Sequence, residues 1–206
     1  MSGALAETLA PLSKDFFSQG VVALARALVG KVLVHESAAG LTAGRIVETE
    51  AYRGPDDLGA HSAGGRRTPR VAAMWGEAGH AYVYFIYGMH WAFNVVAGDT
   101  SEPHAVLVRA VEPLLGIELM AQRRKLPPND RDLTNGPGKL CKAMGIDKAL
   151  YGVPLFEPPL FVAAGERRAQ LRSGPRINID YAGEWAKKPW RFWERGNPWV
   201  SVKPRD

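Results

Sequence analysis

The chain has 206 residues, of which 46% are hydrophobic and 23% charged, enough for one sizeable core in an ordinary globular protein. A net charge of +5 biases it toward polyanions without singling out nucleic acid. No apolar run is long enough to cross a bilayer, and the start of the chain lacks the pattern of a secretion signal. The single cysteine, Cys141, permits no internal disulfide, and no Cys or His spacing suits zinc. A reducing cytoplasm, or a nucleus in a eukaryote, is the expected location.

Residues 1–14 read as a flexible segment, and 15–29 as a helix-rich start closed by Gly30. Residues 31–35 alternate as a strand, 37–40 turn, and 42–52 return as its antiparallel partner. Residues 53–70 are polar and rich in Gly and Pro, and a loop of that length tends to be functional. The aromatic and β-branched runs at 81–87 and 90–96, joined at Gly88 and Met89, read as a hairpin. A strand over 105–112, a helix over 114–125, a loop, and a helix over 136–144 with Pro137 near its start follow. Residues 150–206 mix short strands with Pro-rich loops. The expected class is mixed α and β (α+β). It is a single domain over 1–206 with a largely antiparallel curved sheet and flanking helices. No βαβ rhythm supports a parallel doubly wound sheet.

Strict alternation places Ile46, Glu48, Glu50 and Tyr52 on one side of their strand. A carboxylate beside an aromatic there is a plausible water-activating site; the alternative is a solvated face of an edge strand. Arg109 interrupts an otherwise buried-looking strand and needs a partner, because an isolated buried charge is very costly. Glu50 is available, as a catalytic companion or as a purely structural ion pair. Tyr82 and Tyr84 share one face of the hairpin, with Tyr82 expected in the core. Tyr87 at the tip could act as a wedge between stacked bases or simply pack. Arg66, Arg67 and Arg70, set among glycines, suit phosphate contact, with a solvated loop as the alternative. Asn94 faces away from Phe93 and Val95, where it either satisfies buried groups or discriminates a ligand. The basic residues Arg123, Arg124, Lys125, Lys187, Lys188, Arg191 and Arg195 read as solvated faces, with phosphate contact by some of them as the alternative.

Seven stretches taken in order carry a resemblance. They are GRIVETEAY (44–52), AHSAGGRRTPR (60–70), YVYFIYGM (82–89), LVRAVEP (107–113), GPGKLC (136–141), GEWAKKP (183–189) and RGNPWVS (195–201). Together they resemble the alkyladenine (3-methyladenine, N-methylpurine) DNA glycosylase family over about 15–202. The resemblance implies hydrolysis of the N-glycosidic bond of alkylated or deaminated purines flipped out of duplex DNA, without metal or organic cofactor. It implies Glu50 as general base and Arg109 as its companion in holding water. It implies Tyr52, His61 and Tyr84 as walls around the flipped base, and Tyr87 as the wedge. Asn94 is implied to reject the amine of guanine, and Met89 and Leu107 lie at positions near the lesion pocket or groove. Asn197 stands where Ser is expected, and His90 where an aromatic is. These departures bear on lesion spectrum and DNA grip rather than on the chemistry. No lysine is placed to attack the sugar carbon, so no lyase activity is expected. A monomer binding damaged double-stranded DNA, without membrane or obligate protein partner, is the expected state. The competing readings are a non-catalytic nucleic-acid-binding module and a small-molecule hydrolase using Glu50 and Arg109.

Overall fold

Strands form where β-branched and aromatic residues alternate with small ones. The computed structural model describes residues 9–86 and 88–202. Its strands are β1 (Val32–Ser37), β2 (Gly40–Arg53), β3 (Ala81–Ile86), β4 (His90–Ala97) and β5 (His104–Leu115). Three short ones follow: β6 (Leu160–Ala163), β7 (Leu171–Gly174) and β8 (Arg191–Glu194). They make one sheet, in the order β3-β4-β5-β2-β1-β6, and every strand pairing in it is antiparallel. β2 is the hub. One edge lies along β5; the other carries β1 at its start and β8 at Glu48, Thr49 and Glu50. β7 in turn pairs with β8.

The helices are α1 (Val21–Leu28), α2 (Ile117–Arg124) and α3 (Pro137–Met144). Pro137 takes the first turn of α3, where no intrahelical N–H is needed, and Gly145 ends it in the left-handed region at φ +73°. α2 starts later than the sequence suggests because β5 runs on through Pro113 to Leu115. Gly116 turns the chain between them at φ +68°, and a Cβ there would meet Leu41 O at 2.2 Å. The helices cover one face of the sheet. Leu24, Leu28, Ile46, Phe93, Val95, Val108, Leu140 and Met144 form that core.

Two expectations are corrected here. Val111 pairs with Ile46 and Ala110 with Glu48, so Val47 is an extra residue, a β-bulge. The bulge puts Ile46 in the helix-side core, apart from Glu48 and Glu50. Glu48 and Glu50 are not a solvated face either, since both are 0% exposed. Residues 1–8 of the expected flexible segment lie outside the described residues. Beyond them, Pro11 bridges Ala163 and the Leu12 N–H donates to Val162 O. No helix among the described residues is long and apolar enough to cross a membrane.

Candidate active site

The sheet face turned away from the helices builds the site. Strand register lines up Glu50 of β2 with Leu107 of β5, Leu107 with Asn94 of β4, and Asn94 with Tyr82 of β3. Two residues along, the same alternation adds Tyr52, Arg109 and Tyr84. Over this face lies a cavity of ≈ 720 Å³, within the roughly 300–1,000 Å³ usual for small-molecule sites. Its sheet wall is Tyr52, Tyr84, Asn94, Leu107 and Arg109. His61 and Arg70 from the 54–79 loop, Ile177 and Tyr181 from the segment before β8, and the first turn of α3 at Pro137 and Lys139 also line it.

Glu50 lies behind this wall, fully buried, while its partners Tyr52, Arg109 and Ile177 line the cavity. Its Oε1 accepts the Ile177 N–H at 2.7 Å. Its Oε2 accepts the Tyr52 hydroxyl at 2.8 Å and Arg109 Nη1 at 3.3 Å. A carboxylate has about four acceptor sites, so these three donors leave one. Burial opposes the charge on Arg109, but Glu50 and then Glu48 outweigh it and hold the guanidinium above its ordinary pKa. Burial, reinforced by Glu50, pushes the Tyr52 phenol well up, so it stays a proton donor to Glu50.

The aromatic wall is held by its own contacts. His61 Nδ1 lies 2.8 Å from the Tyr82 hydroxyl, and its ring stands edge-on to Tyr84 with centroids 4.5 Å apart. Burial, aided by Arg70 and Arg66, lowers the His61 pKa to about 4, so the imidazole is neutral near pH 7. A neutral, electron-rich wall suits a cationic aromatic guest better than an imidazolium does. Asn94 Nδ2 donates to Tyr82 O at 3.0 Å.

A buried carboxylate behind aromatic side chains allows several chemistries; the sequence match selects among them. The family model described as methylpurine-DNA glycosylase matches residues 15–198. The chain belongs to the methylpurine-DNA glycosylase family. A Bacillus licheniformis protein named "Putative 3-methyladenine DNA glycosylase" is 50% identical over 191 residues, 93% of this chain and 96% of its own length. Relatives of the same name from Clostridium acetobutylicum and Desulfitobacterium hafniense are each 47% identical. They cover 95% and 93% of this chain, and 99% and 98% of their own. Membership makes DNA the substrate, and the chain is a DNA repair enzyme of the glycosylase class.

In this methylpurine-DNA glycosylase, Glu50, Arg109, Tyr52, His61, Tyr84, Asn94 and Leu107 come together around one cavity. Met89 does not join them. It is 69% exposed at the hairpin turn and borders a separate, smaller groove. Tyr87 lies outside the described residues. Arg66 and Arg67 are exposed, Arg67 lying 3.8 Å over the Trp75 ring. Arg70 is exposed as well but lies at the cavity: Nη2 donates to Phe85 O and the guanidinium lies 5.2 Å from the Tyr84 ring. Arg191, expected on a solvated face, is 4% exposed and donates to Glu48. Arg123 is likewise engaged, on Ala143 O and the Ser37 hydroxyl. Asn197 holds Glu194 and the Trp199 N–H. Sequence reasoning missed the Ile177 amide on Glu50, and the Arg176–Asp57 ion pair beside it. Among the described residues, no group of three or more His, Cys, Asp or Glu is placed to hold a metal ion.

Proposed function

We propose that this glycosylase flips a methylated purine out of duplex DNA and hydrolyses its N-glycosidic bond with a water activated by Glu50. The observation that carries this reading is a fully buried carboxylate with one acceptor site left, whose partners all line an aromatic cavity. A base in the stack shields its sugar carbon, and extrusion costs a few kcal/mol. Stacking on aromatic side chains returns about 1–3 kcal/mol per base. Tyr52, His61 and Tyr84 are the walls that supply it. Tyr87 is assigned, on the resemblance, to fill the gap left in the duplex, with Met89 close to it in sequence. Arg66 and Arg67 take phosphates, and Arg70 meets the base at the rim of the cavity.

The Tyr52 hydroxyl now covers Glu50, and it is the group that moves as the base enters. Water then bridges Glu50 and Arg109. Its oxygen bonds to the sugar C1′, its proton passes to Glu50, and the C1′–N bond breaks with its electron pair going to the purine. An N3- or N7-methylated purine leaves as a neutral base, so this step needs no protein acid. Deaminated purines such as hypoxanthine are neutral, fit the same walls, and are expected to react more slowly for want of that charge.

The test is incubation of the protein with duplexes carrying 3-methyladenine, 7-methylguanine, hypoxanthine or ethenoadenine, with detection of free base. Release of methylated purine leaving an intact abasic strand is expected. Absence of release from both methylated duplexes would overturn the reading.

Asn94 is proposed to exclude the exocyclic amine of guanine. Because its side chain also serves the Tyr82 carbonyl, Asn94→Ser removes a buried hydrogen bond worth about 1 kcal/mol as well. The expected outcome is a lower melting temperature together with a raised guanine-to-hypoxanthine excision ratio. The gain should appear first on mismatched guanine, which costs least to flip. A lower melting temperature with an unchanged ratio leaves Asn94 a structural residue only.

A further inference from the structure

Glu48 is as deeply buried as Glu50, and its hydrogen-bond partners, apart from Arg109, lie away from the cavity. Its Oε1 accepts Arg191 Nε at 2.6 Å and lies 3.3 Å from Arg109 Nε. Its Oε2 accepts the Ser201 N–H at 2.6 Å. The Ser201 hydroxyl is a further partner of Arg109 Nε at 3.3 Å, and Arg191 Nη2 donates to Val202 O. The result is an alternating line of charges, Arg191–Glu48–Arg109–Glu50, with the last two residues of the described chain packed against it. Alternation along β2 keeps both acids on this side, and the Val47 bulge sets Ile46 apart from them.

We propose that Glu48 is a positioning residue for the hydrolytic step: it holds one edge of the Arg109 guanidinium so that Glu50 keeps an acceptor site for water. This rests on the reading of Glu50 as the base. A guanidinium is a rigid planar fork, so fixing Nε also fixes where Nη1 points. With Glu48 and Ser201 on the Nε edge, only Nη1 reaches Glu50. Without the Glu48 charge, the fork has one carboxylate left and closes on it with two parallel hydrogen bonds, the preferred Arg–carboxylate geometry. That closure takes up the acceptor site that water needs.

The proposal has a signed pH signature. The groups facing Glu50 are Arg109 from β5, Glu48 and Tyr52 from β2, and Tyr84 from β3. Arg191 of β8 and Arg176, 4.7 Å from the Tyr52 ring, complete the set, together with the uncharged Ile177 amide. Among these, Glu48 shares Arg109 with Glu50. Its removal leaves the whole guanidinium to Glu50. Removing Arg191 does the reverse: it takes away a positive charge and leaves Glu48 to pull harder on Arg109.

The experiment is single-turnover release of 7-methylguanine from duplex DNA, followed across pH, with lesion-duplex affinity measured in parallel. In Glu48→Gln, the acidic limb is expected to move down by about one pH unit. The neutral-pH rate is expected to fall about tenfold, with affinity unchanged. In Arg191→Gln, the acidic limb is expected to move up. A purely structural role predicts neither shift, and either variant decides the matter if the other does not fold. A Glu48→Gln profile that superimposes on the parent or moves upward overturns the proposal, as does an Arg191→Gln profile that is unshifted or moves down. Glu50→Gln separates the two layers. If it excises normally, the reading of the base fails. If it is inactive while the Glu48 and Arg191 variants show no shift, only the positioning role fails.

Discussion

Glu50→Gln is expected to lower single-turnover excision by about a hundredfold or more while lesion-duplex binding survives. General base catalysis is typically worth 10²–10⁴-fold, and an amide cannot take the proton from water. The fold should tolerate the change, because Arg109 keeps Glu48 as a partner of opposite charge. One cost is unavoidable. Glu50 accepts from Ile177 on one oxygen, and from Tyr52 and Arg109 on the other. A glutamine offers an acceptor on one side only, so an N–H meets the amide nitrogen whichever way it turns. Tyr52 can rotate its hydroxyl to accept, whereas Ile177 and Arg109 cannot. A penalty of about 1–3 kcal/mol follows. At about 2–4 °C per kcal/mol for a domain of this size, melting should drop by several degrees without loss of the folded state at room temperature. Single-turnover excision, gel-shift affinity and thermal melting on one preparation check the three statements together. Substantial excision by the variant removes Glu50 as the base.

The parts of this arrangement that were legible in the sequence are those with a local signature. The hairpin of β3 and β4 follows from two β-branched, aromatic runs around Gly88, whose φ of +67° the turn uses. The pairing of Arg109 with Glu50 follows from a charge in an apolar strand, which has to find an opposite charge. The list of cavity residues came from the resemblance and not from spacing. What was not legible has two physical causes. One is the bulge at Val47, which breaks period-two reasoning and exchanges the side on which Ile46 lies. The other is separation along the chain. Arg191 reaches Glu48 across 143 residues, Arg176 reaches Asp57 across 119, and the Ile177 amide reaches Glu50 across 127. A surface arginine and a buried one have the same letter. Only the return of β8 to the free half of the β2 edge tells them apart. The late start of α2 has a related cause: the strand expected over 105–112 continues past Pro113, which sits opposite Gly44 in the β2–β5 ladder.

Asp57→Ala is expected to be the most destabilising single change near the site. Both side chains of the Arg176–Asp57 pair are 0% exposed, with Arg176 Nη2 2.8 Å from Asp57 Oδ1. Asp57 also accepts the Arg53 and Gly59 N–H groups, which fixes the start of the 54–79 loop. Removing one partner of a buried pair costs about 3–5 kcal/mol, because the other charge stays buried. At about 2–4 °C per kcal/mol, melting should fall by roughly 10 °C. Activity should fall as well. The Arg176 guanidinium lies 4.7 Å from the Tyr52 ring and 5.3 Å from Trp190, so it backs the Tyr52 wall of the cavity. Adding Arg176→Met should recover part of the stability, since the uncompensated charge is gone. The recovery cannot be complete. Arg176 also donates to Ala51 O and Trp185 O, and each carbonyl left without its donor costs about 1 kcal/mol or more. The double variant should therefore melt between Asp57→Ala and the parent, which is the coupling expected of residues in direct contact. A double variant less stable than Asp57→Ala would mean that packing against Tyr52 and Trp190, and not pairing with Asp57, is what holds Arg176 in place.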